Sequence, residues 1–161
     1  MDAKSISASH TTLSQMMEPQ DANGHGNVHG GVIMKLVDEA GALAAMRHAQ
    51  NSVVTVAMSS MIFKEPIRLG YVVILEAELT YVGRTSMEVK VEVTSENPVT
   101  GKSSHTNSAY VVYVAIDGTG KPIEVPPLHL ETDAQRLRWD AAKERQKFRK
   151  QQQEQEDAIK E

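Results

Sequence analysis

The sequence predicts an α+β fold: an antiparallel sheet of about five strands curled around one long helix, with a charged helix after it. Three observations predict it. Val32 to His48 lacks proline and is apolar nearly all the way round, with only Lys35, Asp38, Glu39, Arg47 and His48 polar; a helix of that kind is surrounded by protein on most of its circumference. Four long apolar or alternating runs follow it, as strands do. The breaks between them are short and carry Pro, Gly or Asn (Pro66 and Gly70, Gly83, Asn97-Pro98 and Gly101, Asp117-Gly118 and Gly120), which favours antiparallel neighbours.

In chain order, residues 1–10 are small and polar and read as a flexible N-terminus. Thr11 to Met17 reads as a short strand. Residues 18–31, EPQDANGHGNVHGG, form a loop dense in residues that permit unusual backbone angles. After the helix, Val53 to Phe63 is β-branched and methionine-rich. Tyr71 to Val82 places Val73, Leu75, Ala77, Leu79 and Tyr81 on one face and Glu76, Glu78 and Thr80 on the other. Met87 to Val93 alternates Met87, Val89, Val91 and Val93 with Glu88, Lys90 and Glu92. Ala109 to Ile116 is apolar on both faces, the mark of a central or interface strand. Pro126-Pro127 ends the sheet. From Glu131 onward 16 of 31 residues are charged, which predicts an exposed helical tail over 131–161 that frays near Gln151 to Gln153. That tail is either solvated or laid on the 11–130 domain through Leu137, Trp139 and Phe148.

Composition bounds the function. A chain of 161 residues is one domain with an appendage, large enough to hold a core without a disulfide or metal. With no cysteine, a disulfide framework, a thiolate zinc site and a cysteine nucleophile are excluded. A net charge of −4, with 4% aromatic residues, disfavours nucleic acid. No run approaches the ~20 apolar residues of a membrane span and no segment reads as a signal peptide, so the chain reads as cytoplasmic, with no membrane partner. The charge is uneven: residues 136–150 carry +5, from seven Lys/Arg against Asp140 and Glu144, and the rest carries −9.

Asp38 is the anomaly of the apolar helix. It lies beyond the first turn, where the helix dipole fades, and its neighbours include the small residues Gly41, Ala42 and Ala45. Space around a carboxylate leaves room for another molecule, and partial burial makes a carboxylate a stronger base. The alternatives are a bond to Lys35 or contact with water. Glu39 has its explanation in Lys35, four residues before it. Gly30-Gly31 stands at the helix N-terminus, where free N–H groups either stabilise an oxyanion or simply cap the helix. Asn23 either holds a water or makes the Asn-Gly turn. His25 and His29 have an HxxxH spacing, but in a Gly loop with no third ligand nearby, so no metal site is expected. Gly83-Arg84-Thr85-Ser86 is a tight turn that either holds a phosphate or is an ordinary hairpin.

These residues line up with a family. PQDANGHGNVHGGVIMKLVDEAGALAAMRH resembles the signature of the acyl-CoA thioesterases of the cytosolic, brain-type acyl-CoA hydrolase group and its bacterial relatives. FKEPIRLG at 63–70, TYVGRTSMEV at 80–89, SENPVTG at 95–101 and GKPIEVPPL at 120–128 are similar to the same group. The resemblance covers roughly residues 12–150 and implies a hotdog fold and hydrolysis of acyl-CoA to free acid and CoA, as in fatty acid metabolism. It implies sites at a dimer interface and assembly as a trimer of dimers. It assigns Asp38 as general base or nucleophile and Asn23, from the opposing protomer, as the group orienting water or thioester. Gly30 and Gly31 would polarise the thioester carbonyl, and Arg84, Thr85 and Ser86 would approach the CoA phosphates. No cofactor is implied, CoA being part of the substrate. A hotdog hydratase or dehydratase, with His29 at its site, and a non-catalytic CoA or nucleotide-binding module are the competing readings.

Overall fold

The computed structural model describes residues 1–160. Helix α1 spans Gly30–Ala49. It starts earlier than its apolar pattern because His29 caps it, Nδ1 accepting from the Gly31 N–H. It ends on Gln50 in the left-handed region at φ 53, a common helix stop. Ile33, Leu36, Val37, Ala40, Ala44 and Ala45 are buried, whereas Met34, Leu43 and Met46 face outward. The protomer therefore covers one side of the helix only, and the expected near-complete burial is corrected to a half.

Strands β1 (Lys4–Ser5), β2 (Thr11–Met16), β3 (Ser52–Met58), β4 (Val72–Val82), β5 (Ser86–Glu96), β6 (Ser103–Ile116) and β7 (Leu128–His129) make two sheets. The main sheet has the order β2-β4-β5-β6-β3, all antiparallel. Its inner face, with Val73, Leu75, Ala77, Leu79, Val89, Val91, Val93 and Val111 buried, wraps α1. The five strands around one helix are as the sequence predicts.

Four expectations are corrected. The N-terminus is not loose: Lys4–Ser5 pairs in parallel with β7, Ile6 is buried, and the Lys4 ammonium donates to the His48 carbonyl at 2.7 Å. The run after α1 leaves the sheet at Met58, because Ser59 exchanges bonds with Tyr110 and residues beyond it turn over the start of α1, with Phe63 against Gly30. Tyr81 leaves the inner face because a bulge between Leu79 and Tyr81 shifts the register; Thr80 is buried instead. Helix α2 (Asp133–Ile159) continues through Gln151–Gln153 without fraying. It lies on the outer face through Trp139, whose ring packs tilted against Tyr81 at 4.5 Å, and buried Ala142, while Leu137 and Phe148 point into solvent.

Charge completes the docking of α2. Glu88, only 1% exposed, accepts from Thr80 Oγ1 at 2.8 Å, Arg145 at 2.7 Å and Arg149 at 3.1 Å. Arg145 also stacks on the Tyr110 ring, and Arg138 pairs with Glu78. Three arginines of the basic segment are thus committed to the sheet.

Candidate active site

Asp38 is half-buried on α1, and Lys35 pairs with Glu39 instead of with it. Two hydroxyls reach the carboxylate. Thr55 Oγ1 donates to Asp38 Oδ1 at 2.7 Å. The Tyr113 phenol bridges the Asp38 main-chain oxygen at 2.9 Å and Oδ1 at 3.1 Å. Thr55 and Tyr113 are directly opposite each other on β3 and β6, so their side chains share a face. Burial, the Asp38 charge and the bond to Asp38 push the Tyr113 phenol above its ordinary range, keeping it a donor. Neither residue is legible as a site residue in the sequence. Tyr113 sits in an apolar run and Thr55 among valines, and only strand pairing brings them to a helix residue 17 and 75 positions away.

The loop before α1 is tightly bonded. Asn23 Oδ1 accepts from His25 N at 2.9 Å and Asn27 N at 3.2 Å, and the Asn23 N–H donates to Asn27 O at 2.7 Å. Gly26, at φ +79, takes the turn position. Asn23 therefore makes the turn with its oxygen, and its amide NH2 bonds no other described residue. His29 Nδ1 takes the Gly31 N–H at 2.8 Å, so Gly31 is occupied as a donor and the Gly30 N–H is the one left without a described partner. Asn23 and Gly30 line one cavity of about 430 Å³ with Val28, Ile33, Phe63 and Ile67.

Asp38 does not line that cavity. It stands eight positions along the helix from Gly30, about 12 Å of rise, so one protomer holds the amide and the carboxylate apart. Arg84, Thr85 and Ser86 lie at the turn between β4 and β5, toward the opposite end of the sheet. Arg84 is exposed there, with Glu124 at 3.8 Å. His25 stands in the loop cavity, and no group of metal-binding side chains forms among the described residues. No helix is long and apolar enough to cross a membrane among them.

The thioesterase superfamily profile matches residues 25–102. The uncharacterized acyl-CoA thioester hydrolase YkhA of Bacillus subtilis is 36% identical over 82% of this chain and 77% of its own length. The rat cytosolic acyl coenzyme A thioester hydrolase is 35% identical over 89% of this chain, which spans 38% of that relative's length. Among solved structures, an apo-hexameric acyl-CoA thioesterase superposes with TM-score 0.88 at 35% identity, covering 94% of this chain and 97% of that one. The Staphylococcus aureus acyl-CoA hydrolase in complex with butyryl coenzyme A, coenzyme A and coenzyme A disulfide superposes with TM-score 0.87 at 34% identity, over 98% of this chain and 97% of its own. That hydrolase is also solved with an aspartate, an asparagine or a threonine replaced by alanine.

Proposed function

This chain belongs to the thioesterase superfamily, and on that premise we propose that it hydrolyses the thioester of an acyl-CoA to a free carboxylic acid and CoA. One observation carries the reading: a carboxylate with no cation partner among the described residues, on a mostly apolar helix, held by a threonine hydroxyl at 2.7 Å. The comparison with the S. aureus enzyme supports it. There the altered asparagine, aspartate and threonine follow one another at intervals of 15 and 17 residues, and the same intervals separate Asn23, Asp38 and Thr55.

In this reading Asp38 acts as general base or nucleophile. As base it takes a proton from water, whose oxygen bonds to the thioester carbonyl carbon. The resulting oxyanion is met by the partner protomer's Gly30 N–H, at the helix N-terminus beside Gly31 and in the same cavity as Asn23. It then collapses, the C–S bond breaks, and CoA leaves as thiolate. The unspent amide NH2 of Asn23, supplied by the partner protomer, orients the water or the thioester. A base contributes ~10²–10⁴ in rate and an oxyanion donor ~3 kcal/mol. Carboxylate, amide, backbone N–H and water suffice, with no metal or cofactor. Arg84, exposed beside Thr85 and Ser86, is available to the CoA phosphates.

The assembly in this reading is a homodimer, extended to a hexamer as in the apo-hexameric relative. The outward Met34, Leu43 and Met46 of α1 and the exposed Val54 and Val56 of edge strand β3 form the apolar surface a second copy would cover. The separation of Asn23 from Asp38 within one protomer fits a site completed by a second copy. The cytosolic naming of the rat relative supports a cytoplasmic setting.

The test is a panel of saturated short, medium, long and branched acyl-CoAs plus one enoyl-CoA, with released thiol and hydration both followed. Thiol release that disappears in Asp38→Ala supports the reading. Hydration of the enoyl-CoA without thiol release, or tight CoA binding without turnover, would falsify it. Mixing Asn23→Ala with Asp38→Ala subunits should restore half the sites in each mixed dimer; no recovery after verified exchange refutes sharing across the interface.

A further inference from the structure

We propose that Tyr113 is a positioning residue for the reaction: with Thr55 it holds Asp38 by Oδ1 and so presents Oδ2 as the oxygen that acts on water or thioester. The proposal rests on the assignment of Asp38 as the reacting carboxylate. Thr55 Oγ1 at 2.7 Å and the Tyr113 phenol at 3.1 Å both converge on Oδ1, whereas Oδ2 accepts no hydrogen bond from the described residues. The phenol also bonds the Asp38 main-chain oxygen at 2.9 Å, tying the carboxylate's orientation to the backbone of its own helix. A side chain free to rotate would offer either oxygen; this one is fixed by two donors on one side.

Packing alone does not call for the hydroxyl. Tyr113 is fully buried, and the neighbouring inward positions of β6 are Ala109, Val111 and Ala115. A phenylalanine would fill that space without burying a polar atom that needs a partner. Among the described residues, the only side-chain group that the hydroxyl bonds is the Asp38 carboxylate.

Gly41 supplies a second, independent sign. It lies in the interior of α1, where glycine is unfavourable relative to alanine, and the neighbouring buried positions Ala40, Ala44 and Ala45 all keep a Cβ. A Cβ at position 41 would stand 2.4 Å from the Tyr113 oxygen but 3.1 Å from its nearest ring carbons. The missing side chain therefore makes room first for the phenol oxygen, the closest atom, and with it for the ring edge. The helix gives up a Cβ where the strand sends in a hydroxyl.

The test compares steady-state hydrolysis by wild type, Tyr113→Phe, Gly41→Ala and the double variant, with melting temperatures alongside. Tyr113→Phe is expected to lower kcat about 10- to 100-fold, the scale of a displaced reacting group, with KM within about twofold and a folded protein. Gly41→Ala, which pushes the phenol away, is expected to lower kcat similarly. In the double variant the two effects should not multiply, because the hydroxyl that Gly41→Ala displaces is already gone and only the milder 3.1 Å ring contact remains. An unchanged kcat in Tyr113→Phe, a loss confined to KM, or multiplying effects in the double variant overturns the positioning role while thioesterase activity stands. A wild-type protein inactive on every acyl-CoA overturns the functional reading, and this proposal with it.

Discussion

Helix α1 and helix α2 lie on opposite faces of the same sheet and are held by different physics. On the inner face, Ile33, Leu36, Val37 and Ala44 bury against Val73, Leu75, Val89 and Val111. Apolar burial is strong and non-directional, roughly 25 cal/mol per Å². On the outer face, α2 carries Trp139 and Ala142 and then relies on Arg145 and Arg149 around Glu88. A buried ion pair gains little net stability over an apolar replacement but is costly to break. Its bonds are directional, so they select one placement of a helix whose composition alone would leave it in water. Asp38, the uncompensated carboxylate, is on the helix held by apolar contact, which keeps its position fixed without help from charge.

The largest expected effect is on the inner face: Leu36→Ala should cost about 2–5 kcal/mol in urea unfolding. A smaller loss would break the comparison, because α1 would then not depend on its apolar side. On the outer face, Glu88→Ala should cost about 3 kcal/mol, since two guanidinium groups lose their carboxylate. It should also expose α2 to proteolysis. Replacing Glu88, Arg145 and Arg149 together by Met, Leu and Met should return stability to within about 1 kcal/mol of wild type. A deficit as large as that of Glu88→Ala would show that the cluster is a net stabiliser and not a placement device.

The two faces also respond to different pH windows. His48 at the end of α1 is fully buried, its Nε2 bonded to the Pro126 carbonyl at 2.7 Å. Burial, reinforced by Lys4 and opposed by the Pro126 bond, lowers its pKa from the ordinary 6.5. The unfolded chain then binds a proton that the folded one resists, so stability falls as pH drops below about 6.5. His48→Gln should flatten the melting-temperature profile between pH 7.5 and 5.5. Glu92 on the outer face behaves otherwise: burial would raise its pKa, but bonds from Lys90, Ser108 and His105 bring it down to about 2. Its contribution is present above the unfolded value of 4.5 and is lost as pH falls from there through about 2. Glu92→Gln should remove that acid-side slope and leave the His48 window untouched. Smallest of all, Leu137→Ala and Phe148→Ala should change stability by less than about 0.5 kcal/mol, because both side chains face water.

Much of the fold is readable without coordinates. The alternation in Met87 to Val93 assigns the two faces of β5, and the absence of proline with abundant Ala and Leu assigns α1. Tyr81 escapes because a single bulge inverts its face, and nothing in a two-residue period announces one. The sequence leaves α2 open between solvent and the sheet, because half of its docking stripe of Trp139, Ala142, Arg145 and Arg149 is charged, while its large apolar residues Leu137 and Phe148 point away. At the site, Asp38 stands out in an apolar helix, and Asn23 and Gly30 by their place in the loop before it. Thr55 and Tyr113 have no local signature. The nearest hint is a glycine, Gly41, inside an alanine-rich helix.

The sequence by itself determined what depends on neighbours along the chain: helix and strand periods, a chain with no thiol chemistry, and a net −4 divided into −9 and +5. Tertiary structure decided what depends on register. Pairing Thr55 with Tyr113 across two strands brings two hydroxyls to one oxygen of Asp38. The same sheet spends three arginines of the +5 segment on its own carboxylates. Periodicity is a property of adjacent residues and can be read in order; convergence of residues far apart is a property of the packed sheet.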